Sequence, residues 1–424
     1  MSKEMQALEG VAISDDTFAE TNSLIYAMSA LHFITAVSAL EVVNGDKYPT
    51  VTVLVHSPGL DVEANDELTS ICKEFSKNFP FIEKVISLSR DKKAEILSMG
   101  DASQAANSLK NYIGEEVFSE IYYPHDMEGG MYQFLCMSYP DMQRICFGDA
   151  LGNVYDKEYH IRLASGKKSD IQQRKSIIQK LKSCLIYFIP HLRKKIITEK
   201  MPTIIEEYMP QQAVLILPIA QDADYFNDVP LKICPKNNFL NVLERCADSA
   251  QELNKYITTL LNEHYGADKY LLLLENIASG NFMTFEREVE MYCAVIKKHC
   301  VPESTIFIKP HPLETLPTAQ KIKESLSADF NIVVVDRRFG RYPIEIWTDL
   351  VINCKVIAMS YPALSLKFLF DVDVIHFLSN KWIEEWFDER LWDSYRNSME
   401  RIVMPLNNLK NWDGKSVLYS SGIQ

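Results

Sequence analysis

The sequence lacks most of the motifs that would assign a chain of 424 residues to a common class. It has no apolar run of about 18 residues, the length that a membrane-spanning helix requires. Its nine cysteines include no C-x-x-C pair, so they predict reduced, buried thiols better than a zinc or redox site. A Walker loop, a G-x-G-x-x-G motif and internal repeats are also absent, which excludes the usual nucleotide cradles and repeat folds.

Length and composition indicate an ordinary globular protein of two domains. The chain is longer than the size at which one hydrophobic core stops growing. Its content of 47% apolar and 24% charged residues is typical of soluble domains. Residues 1–16 are polar and acidic and do not resemble a secretory signal, so a cytoplasmic location is expected.

Charge is distributed unevenly along the chain. The net charge of −13 argues against a nucleic-acid partner, yet residues 167–200 carry ten Lys or Arg against two acids. Apolar residues recur at helical spacing between Ile177 and Ile189, which predicts a basic amphipathic helix. Two interpretations stay open: the helix lies on the anionic cytoplasmic face of the inner membrane, or it covers a domain core as a solvated linker.

Strand-like and helix-like stretches alternate along the chain, which predicts an α/β fold with parallel sheets. In the first half, Ser29 is placed to cap a helix over 31–43, and a further helix is predicted over 92–113. In the second half a long helix is predicted over 239–261. This order predicts two doubly wound Rossmann-like domains that face a central cleft, the GT-B arrangement known from glycosyltransferases.

The predicted boundaries divide the chain into four parts. These are a first Rossmann-like domain, a basic linker-helix region, a second Rossmann-like domain and C-terminal helices that cross back onto the first domain, over 1–160, 161–209, 210–380 and 381–424.

A histidine between two prolines is the most informative local feature. The buried strand 305–309 ends in Lys309-Pro310-His311-Pro312, which places an imidazole at the carboxyl edge of a sheet, where open α/β sheets bind ligands. Lys309 adds positive charge, and the pair suits a phosphate. The alternative is a Pro-rich turn with a solvated histidine.

Asp149 follows the apolar strand 144–147 and stands between Gly148 and Gly152. A carboxylate at this sheet edge is placed like a general base, although Asp beside Gly also commonly caps a turn. Together with His311 from the other half, it would form a carboxylate and imidazole pair across a cleft.

The motifs around these residues resemble those of bacterial GT-B sialyltransferases, including the polysialyltransferase and lipooligosaccharide sialyltransferase families. The H-P motif of those families is matched by His311-Pro312, and their D/E-D/E-G motif by Gly148-Asp149-Ala150, with Gly and Ala at its outer positions. Ser29-Ala30-Leu31-His32 resembles their S-P-L-H segment. Their adjacent serine pair is replaced here by the separated Ser360 and Ser365.

The resemblance implies an inverting glycosyltransferase that moves sialic acid, or a related nonulosonic acid, from a CMP-sugar donor to a glycan or glycolipid hydroxyl in capsule, lipopolysaccharide or O-antigen synthesis. Asp149 would act as the base, and His311 would contact the departing phosphate. The first domain would hold the acceptor through Ser29, His32, His125, Gly152 and Asn153. The second would hold the nucleotide through Lys309, Pro312, Glu345, Ser360, Ser365, Glu275 and Asn276.

No cofactor or metal is predicted. The acidic triplets 222–224 and 371–373 have the D-x-D form, but neither follows a strand in the order that a glycosyltransferase metal site requires.

Three alternatives to sialyl transfer stay open. The chain could use CMP-Kdo, it could be an epimerase-like GT-B enzyme that uses UDP-sugars, or it could be a catalytically silent glycan-binding protein. The site residues also have purely structural interpretations. Ser360 and Ser365 suit a helix N-cap, Glu345 suits the first turn of a helix, and Glu275-Asn276 suits a polar junction between strand and loop.

Overall fold

The computed structural model of the protein describes most of both predicted domains. The described residues are 22–45, 47–57, 60–99, 101–114, 117–125, 129–148, 210–217, 219–220, 229–266, 268–409 and 418–419. Asp149, Gly152, Asn153, the basic segment 167–200 and the triplet 222–224 lie outside the described residues.

The first sheet has seven strands within the described residues, and its neighbouring strands all run parallel. They are β1 (Asn22–Ala27), β2 (Thr50–Val55), β3 (Ile82–Ser87), β4 (Glu120–Tyr123), β5 (Gln143–Cys146), β6 (Gln212–Leu215) and β8 (Leu231–Ile233), whereas the short β7 (Ile219–Ala220) lies outside this sheet. Their order is β3-β2-β1-β4-β5-β6-β8. Central strands such as β1 are apolar without alternation because helices cover both faces of a parallel sheet.

Within the described residues, five helices follow the strands of the first domain. They are α1 (Ala30–Asn44), α2 (Val62–Ser76), α3 (Arg90–Leu97), α4 (Ala102–Ile113) and α5 (Gly129–Ser138). The predicted cap of α1 is confirmed, because Ser29 Oγ accepts a hydrogen bond from the His32 N–H at 3.1 Å. The single helix predicted over 92–113 is wrong. Asp101 caps α4 by accepting from the Gln104 N–H at 2.9 Å, and a cap marks a new helix start.

The second sheet is also parallel and has the order β11-β10-β9-β12-β13. Its strands are β9 (Lys269–Leu273), β10 (Thr305–Lys309), β11 (Asn331–Val334), β12 (Lys355–Ala358) and β13 (Val374–His376). Its domain contains α6 (Lys236–Ser249), α7 (Gln251–Glu263), α8 (Phe285–His299), α9 (Thr318–Leu326), α10 (Thr348–Ile352) and α11 (Pro362–Phe370). The predicted α/β fold with two doubly wound Rossmann-like domains is confirmed, and it is the GT-B arrangement.

The predicted start of the second domain at residue 210 is wrong. Strand β6 pairs with β5, and β8 pairs with β6, so residues 212–233 extend the first sheet. The apolar run of β6 predicted a strand correctly, but periodicity carries no information about which sheet a strand joins.

The predicted long helix over 239–261 is two helices that divide at Ala250, whose ψ of 56° is not helical. Helix α6 packs on α1 and α2 of the first domain, and α7 packs on α10 of the second. Side chains from both sheets therefore share one hydrophobic core, which extends from Ile25 and Val53 through Phe239 to Leu271 and Val356. A shared core fixes the two sheets relative to each other more firmly than a polar linker would.

The C-terminal segment runs from the second domain back toward the first. Helices α12 (Asn380–Trp386) and α13 (Trp392–Leu409) precede β14 (Leu418–Tyr419). Strand β14 pairs in parallel with β7, which follows β6 of the first sheet.

Candidate active site

A cavity of about 260 Å³ opens between the carboxyl ends of the two sheets. Its wall comes from both domains, and the lining residues are 29–31, 273–275, 309–312, 341–345, 360 and 362. We call this cavity the interdomain cleft.

The cleft lies where the strand order of each sheet reverses. The chain runs outward from β1 to β2 and β3 and then returns to β4 on the other side of β1. The second sheet likewise runs from β9 to β11 and returns to β12 beside β9. Ser29 follows β1, Glu275 follows β9 and Ser360 follows β12, so all three reach the cleft from these reversal points. Ligands of doubly wound sheets bind at such points because the loops diverge there and leave a crevice.

Lys309 is a buried cation at the end of β10. Its side chain is 5% exposed, its Nζ donates to the Gly340 carbonyl at 2.8 Å, and it lies 5.8 Å from the centre of the Trp347 ring. Burial lowers the pKa of Lys309 to about 8, while Glu345 acts in the opposite direction. Lys309 therefore still carries its charge at neutral pH.

His311 lines the cleft two residues further on. Its Nδ1 accepts a hydrogen bond from the Leu313 N–H at 3.1 Å, which assigns the proton of the neutral ring to Nε2. Burial lowers the pKa of His311 to about 4, and the nearby Lys309 lowers it further in the same direction. At neutral pH the ring is an uncharged Nε2–H donor for an oxygen of a bound ligand.

Ser365 was expected to bind the nucleotide directly, and the structure corrects this expectation. The side chain is 4% exposed, is not part of the cleft wall, and donates to Glu345 Oε1 at 2.7 Å. Glu345 does line the cleft, at 2% exposure. Burial raises the pKa of Glu345, whereas Ser365 and Lys309 lower it. Ser365 thus orients Glu345.

Glu275 and Ser360 meet inside the cleft. Ser360 Oγ donates a short hydrogen bond to Glu275 Oε1. Burial raises the pKa of Glu275 to about 7, and the hydrogen bond from Ser360 partly offsets this rise. Asn276, which was grouped with Glu275 as a nucleotide ligand, is not part of the cleft wall. Its buried Oδ1 has no hydrogen-bond partner within the described part of the chain.

Of the acceptor residues expected in the described part of the first domain, only Ser29 lines the cleft. His32 and His125 do not line it, and their side chains are buried, at 5% and 1% exposure. The His32 ring packs 5.9 Å from that of Phe147, and the His125 N–H donates to the Gly148 carbonyl at 2.8 Å. Both histidines therefore hold the end of β5, the strand that leads to Asp149.

The end of β5 lies on the same sheet edge as Ser29. Strands β1, β4 and β5 are neighbours, and at about 4.8 Å per strand β5 ends roughly 10 Å to the side of β1. Gly148 adopts a φ of +74°, a conformation that glycine takes without strain, and this turns the chain out of the strand. Gly148 is the last described residue of this part of the chain, and Asp149 is the next residue in the sequence.

Two residues of the cleft wall also join the domains. Arg341 Nε donates to Glu67 Oε2 and the Tyr342 hydroxyl to Glu74 Oε2, each at 2.5 Å, and both carboxylates belong to α2 of the first domain. We call these two bonds the interdomain clamp. The sequence analysis predicted no role for Arg341 and Tyr342. The feature that could have indicated one is their position just before Pro343, in a loop that follows a strand.

Breaking the interdomain clamp is expected to loosen α2. In the double variant Arg341→Ala and Tyr342→Phe, hydrogen exchange of the α2 amides should become about fivefold faster, since exposed bonds to charged groups contribute about 1 kcal/mol. Arg338→Ala is the matched control, because Arg338 is 73% exposed and pairs with Asp336 within its own loop. Equal exchange in the double variant and the control would show that the clamp does not hold the domains.

The described residues contain no group of three or more His, Cys, Asp or Glu side chains that could hold a metal ion. None of their helices is long and apolar enough to span a membrane.

The fold and the cleft define a GT-B protein whose second domain presents a buried lysine and a neutral histidine at a strand end. Residues 149–359 match the family model described as alpha-2,8-polysialyltransferase (POLYST), and this segment contains His311 and Glu345. This match confirms the resemblance to the polysialyltransferase family that the motifs indicated.

Solved structures with a similar chain course come from several enzyme types. UDP-GlcNAc 2-epimerase from Methanocaldococcus jannaschii is 10% identical, with 93% of this chain and 94% of that one covered and a TM-score of 0.43. The 2,6-sialyltransferase of Photobacterium sp. JT-ISH-224, solved with CMP and lactose, is 12% identical, with 94% and 78% covered and a TM-score of 0.45. No curated protein matches the chain. Likenesses this distant do not fix an activity.

Proposed function

We propose that this protein is an inverting sialyltransferase that uses a CMP-sugar donor and a glycan hydroxyl as acceptor. The observation that carries the proposal is the interdomain cleft, in which Lys309 and His311 of one domain face Ser29 of the other. The polysialyltransferase match over residues 149–359 supports sialic acid, or a related nonulosonic acid, as the transferred sugar.

The second domain would bind the donor phosphate and stabilise it as it leaves. Charge builds on the phosphate oxygens when the bond to the sugar breaks. A buried ammonium and an Nε2–H donor, both fixed before the reaction, offset this charge without reorganisation. Lys309 is held by Gly340 and Trp347, and His311 by Leu313, so both groups are oriented in advance. Glu345, oriented by Ser365, is proposed to accept from the ribose hydroxyls.

The first domain would bind and activate the acceptor. Asp149 is proposed to take the proton of the acceptor hydroxyl as that oxygen attacks the sugar from the face opposite CMP. One displacement from the opposite face inverts the anomeric centre and needs no covalent intermediate. The support for Asp149 comes from the sequence: it directly follows Gly148, which lies just after the end of β5, and it is the first residue of the family match. Gly152 and Asn153 would line the acceptor side of the same loop.

Nucleotide preference tests the donor assignment. At about 100 times its Kd, CMP should stabilise the protein by about 2.7 kcal/mol, because a ligand that binds only the folded state shifts unfolding by mass action. A rise of a few degrees in the melting temperature is expected with CMP and none with UDP at the same concentration. Lys309→Met should abolish the rise, while Lys321→Met, which removes an exposed lysine paired with Glu324, should preserve it. A rise with UDP alone would favour an epimerase-like enzyme, and no rise with either nucleotide would favour a silent glycan-binding protein.

A further inference from the structure

The Ser360 hydroxyl, which lines the cleft on the side of the second domain, is already engaged by a carboxyl group. Ser360 follows β12 and Glu275 follows β9, and their hydrogen bond crosses the point where the second sheet reverses its strand order. Ser360 carries one hydroxyl proton, which it donates to Glu275 Oε1. A phosphate oxygen can accept a hydrogen bond from this hydroxyl only if the bond from Ser360 to Glu275 is broken.

The groups that surround Glu275 include one further carboxyl group and two tyrosine hydroxyls. Helix α8 contributes Glu288, which acts on Glu275 electrostatically, and Tyr292, whose hydroxyl oxygen accepts from the Glu275 N–H at 2.9 Å. The loop after β10 contributes Glu314, which acts electrostatically on Tyr292 and not on Glu275, and α13 contributes Tyr395. Three cations lie in the cleft or near it, namely Lys309, Arg337 and Arg341. His311 and His376 are also nearby, but they are neutral. Within the described residues, no ion pair joins Glu275 to any of these groups.

These surroundings favour a protonated Glu275 as soon as an anion enters the cleft. Burial raises the pKa of Glu275 to about 7, and it also raises the pKa of the neighbouring Glu288, before any anion is present. A phosphate beside Ser360 would add a further negative charge at close range and disfavour the charged form of Glu275 still more. A neutral carboxyl group would also become a hydrogen-bond donor itself, so Ser360 could turn its proton toward the ligand.

We propose that Glu275 takes up a proton when the donor phosphate binds at Ser360, and that this uptake lets the carboxyl group and the hydroxyl form one phosphate-binding unit. This inference rests on the proposed function, since it concerns the same cleft and the CMP moiety. It assigns Glu275 the role of a proton-carrying ligand, in place of a carboxylate that accepts hydrogen bonds from the nucleotide.

Proton-linked calorimetry tests the inference directly. CMP binding to the full chain is titrated at pH 8 in buffers of different ionisation enthalpy, which gives the number of protons taken up. The wild type should take up about one proton more than Glu275→Gln, because the glutamine side chain has no carboxylate that can be protonated when CMP binds. Lys309 has a pKa of about 8 and also takes up protons when CMP binds. Its uptake is the same in both proteins, so it cancels when the proton uptake of the variant is subtracted from that of the wild type.

The pH dependence has a definite sign. A group whose pKa is raised on binding strengthens binding below its free pKa and weakens it progressively above that value. Between pH 7.5 and 8.5 the CMP affinity of the wild type should therefore fall about tenfold more than that of Glu275→Gln. Glu314→Gln is the matched control. Its pKa is also about 7, but the residue does not line the cleft, so the variant should behave like the wild type.

Each outcome decides a different question. Equal proton uptake by the wild type and Glu275→Gln would overturn the inference and leave CMP binding intact. Absence of any CMP heat in the wild type would overturn the proposed function instead. If Glu275→Gln does not fold, difference infrared spectroscopy of the wild type serves as the second measurement. CMP binding should produce a protonated carboxyl band, and its absence would overturn the inference.

Discussion

Asp149→Asn lowers kcat for sialyl transfer by about 10²–10⁴-fold, the usual contribution of a general base, and leaves the KM for the CMP-sugar nearly unchanged. The amide preserves the shape of the side chain but cannot accept the acceptor proton. The KM is unaffected because the donor is bound by the other domain. Steady-state kinetics with varied donor and a saturating acceptor measure both constants.

The control for this variant lies a few residues away. Asp141→Asn alters an exposed carboxylate in the turn before β5, at the opposite edge of the sheet, and should keep wild-type kcat. If Asp149→Asn also keeps wild-type kcat, another group is the base and the proposed role of this loop is wrong.

His311→Ala lowers kcat by about 10²–10³-fold, the loss seen when one fixed donor to a developing charge is removed. Two further variants separate donation from positioning, because the two ring nitrogens have different tasks. Gln places an amide donor near the position of Nε2, whereas Asn places an acceptor near Nδ1, where the Leu313 N–H now donates at 3.1 Å. His311→Gln should recover part of the lost rate, and His311→Asn should not.

The rescue pattern decides whether His311 acts through its Nε2–H. Recovery by Asn but not by Gln would show that the residue only orders the loop around Leu313. The pH profile adds an independent check. Since burial lowers the pKa of His311 to about 4 in the free protein, its protonation is not expected to lower kcat/KM between pH 6 and 7.

The local features of the site could be predicted from the sequence because they depend on neighbours along the chain. The strand that ends at Lys309 is set by its β-branched and aromatic residues, and the prolines on either side of His311 stop it at the sheet edge. The cap of α1 by Ser29 depends on an amide only three residues away. Features that depend on residues only a few positions apart can be recognised in a short stretch of sequence.

The features that were missed depend on partners far away in the chain. Strand β6 was assigned to the wrong sheet because its pairing with β5 joins residues more than 60 positions apart. Ser365 was taken for a nucleotide ligand because its bond to Glu345 is made through the fold. The interdomain clamp joins Arg341 to Glu67 and Tyr342 to Glu74 across the cleft, and no local pattern encodes such contacts.

The fold alone does not identify the reaction, because doubly wound domains around a cleft serve epimerases and transferases alike. The distinction lies in the cleft. The two domains bring Lys309, His311 and Ser29 to one cavity, a placement that suits a donor phosphate on one side and an acceptor on the other.

Analysis of the reaction products shows whether the protein transfers sialic acid. The purified protein is incubated with CMP-sialic acid and a panel of glycan acceptors, and the products are analysed by mass spectrometry and NMR. We expect an acceptor that gains sialyl residues with inverted anomeric configuration, one CMP released per transfer, and no transfer by Asp149→Asn. Retained configuration, or no transfer from any CMP-sugar to any acceptor while a UDP-sugar is converted, would contradict this expectation.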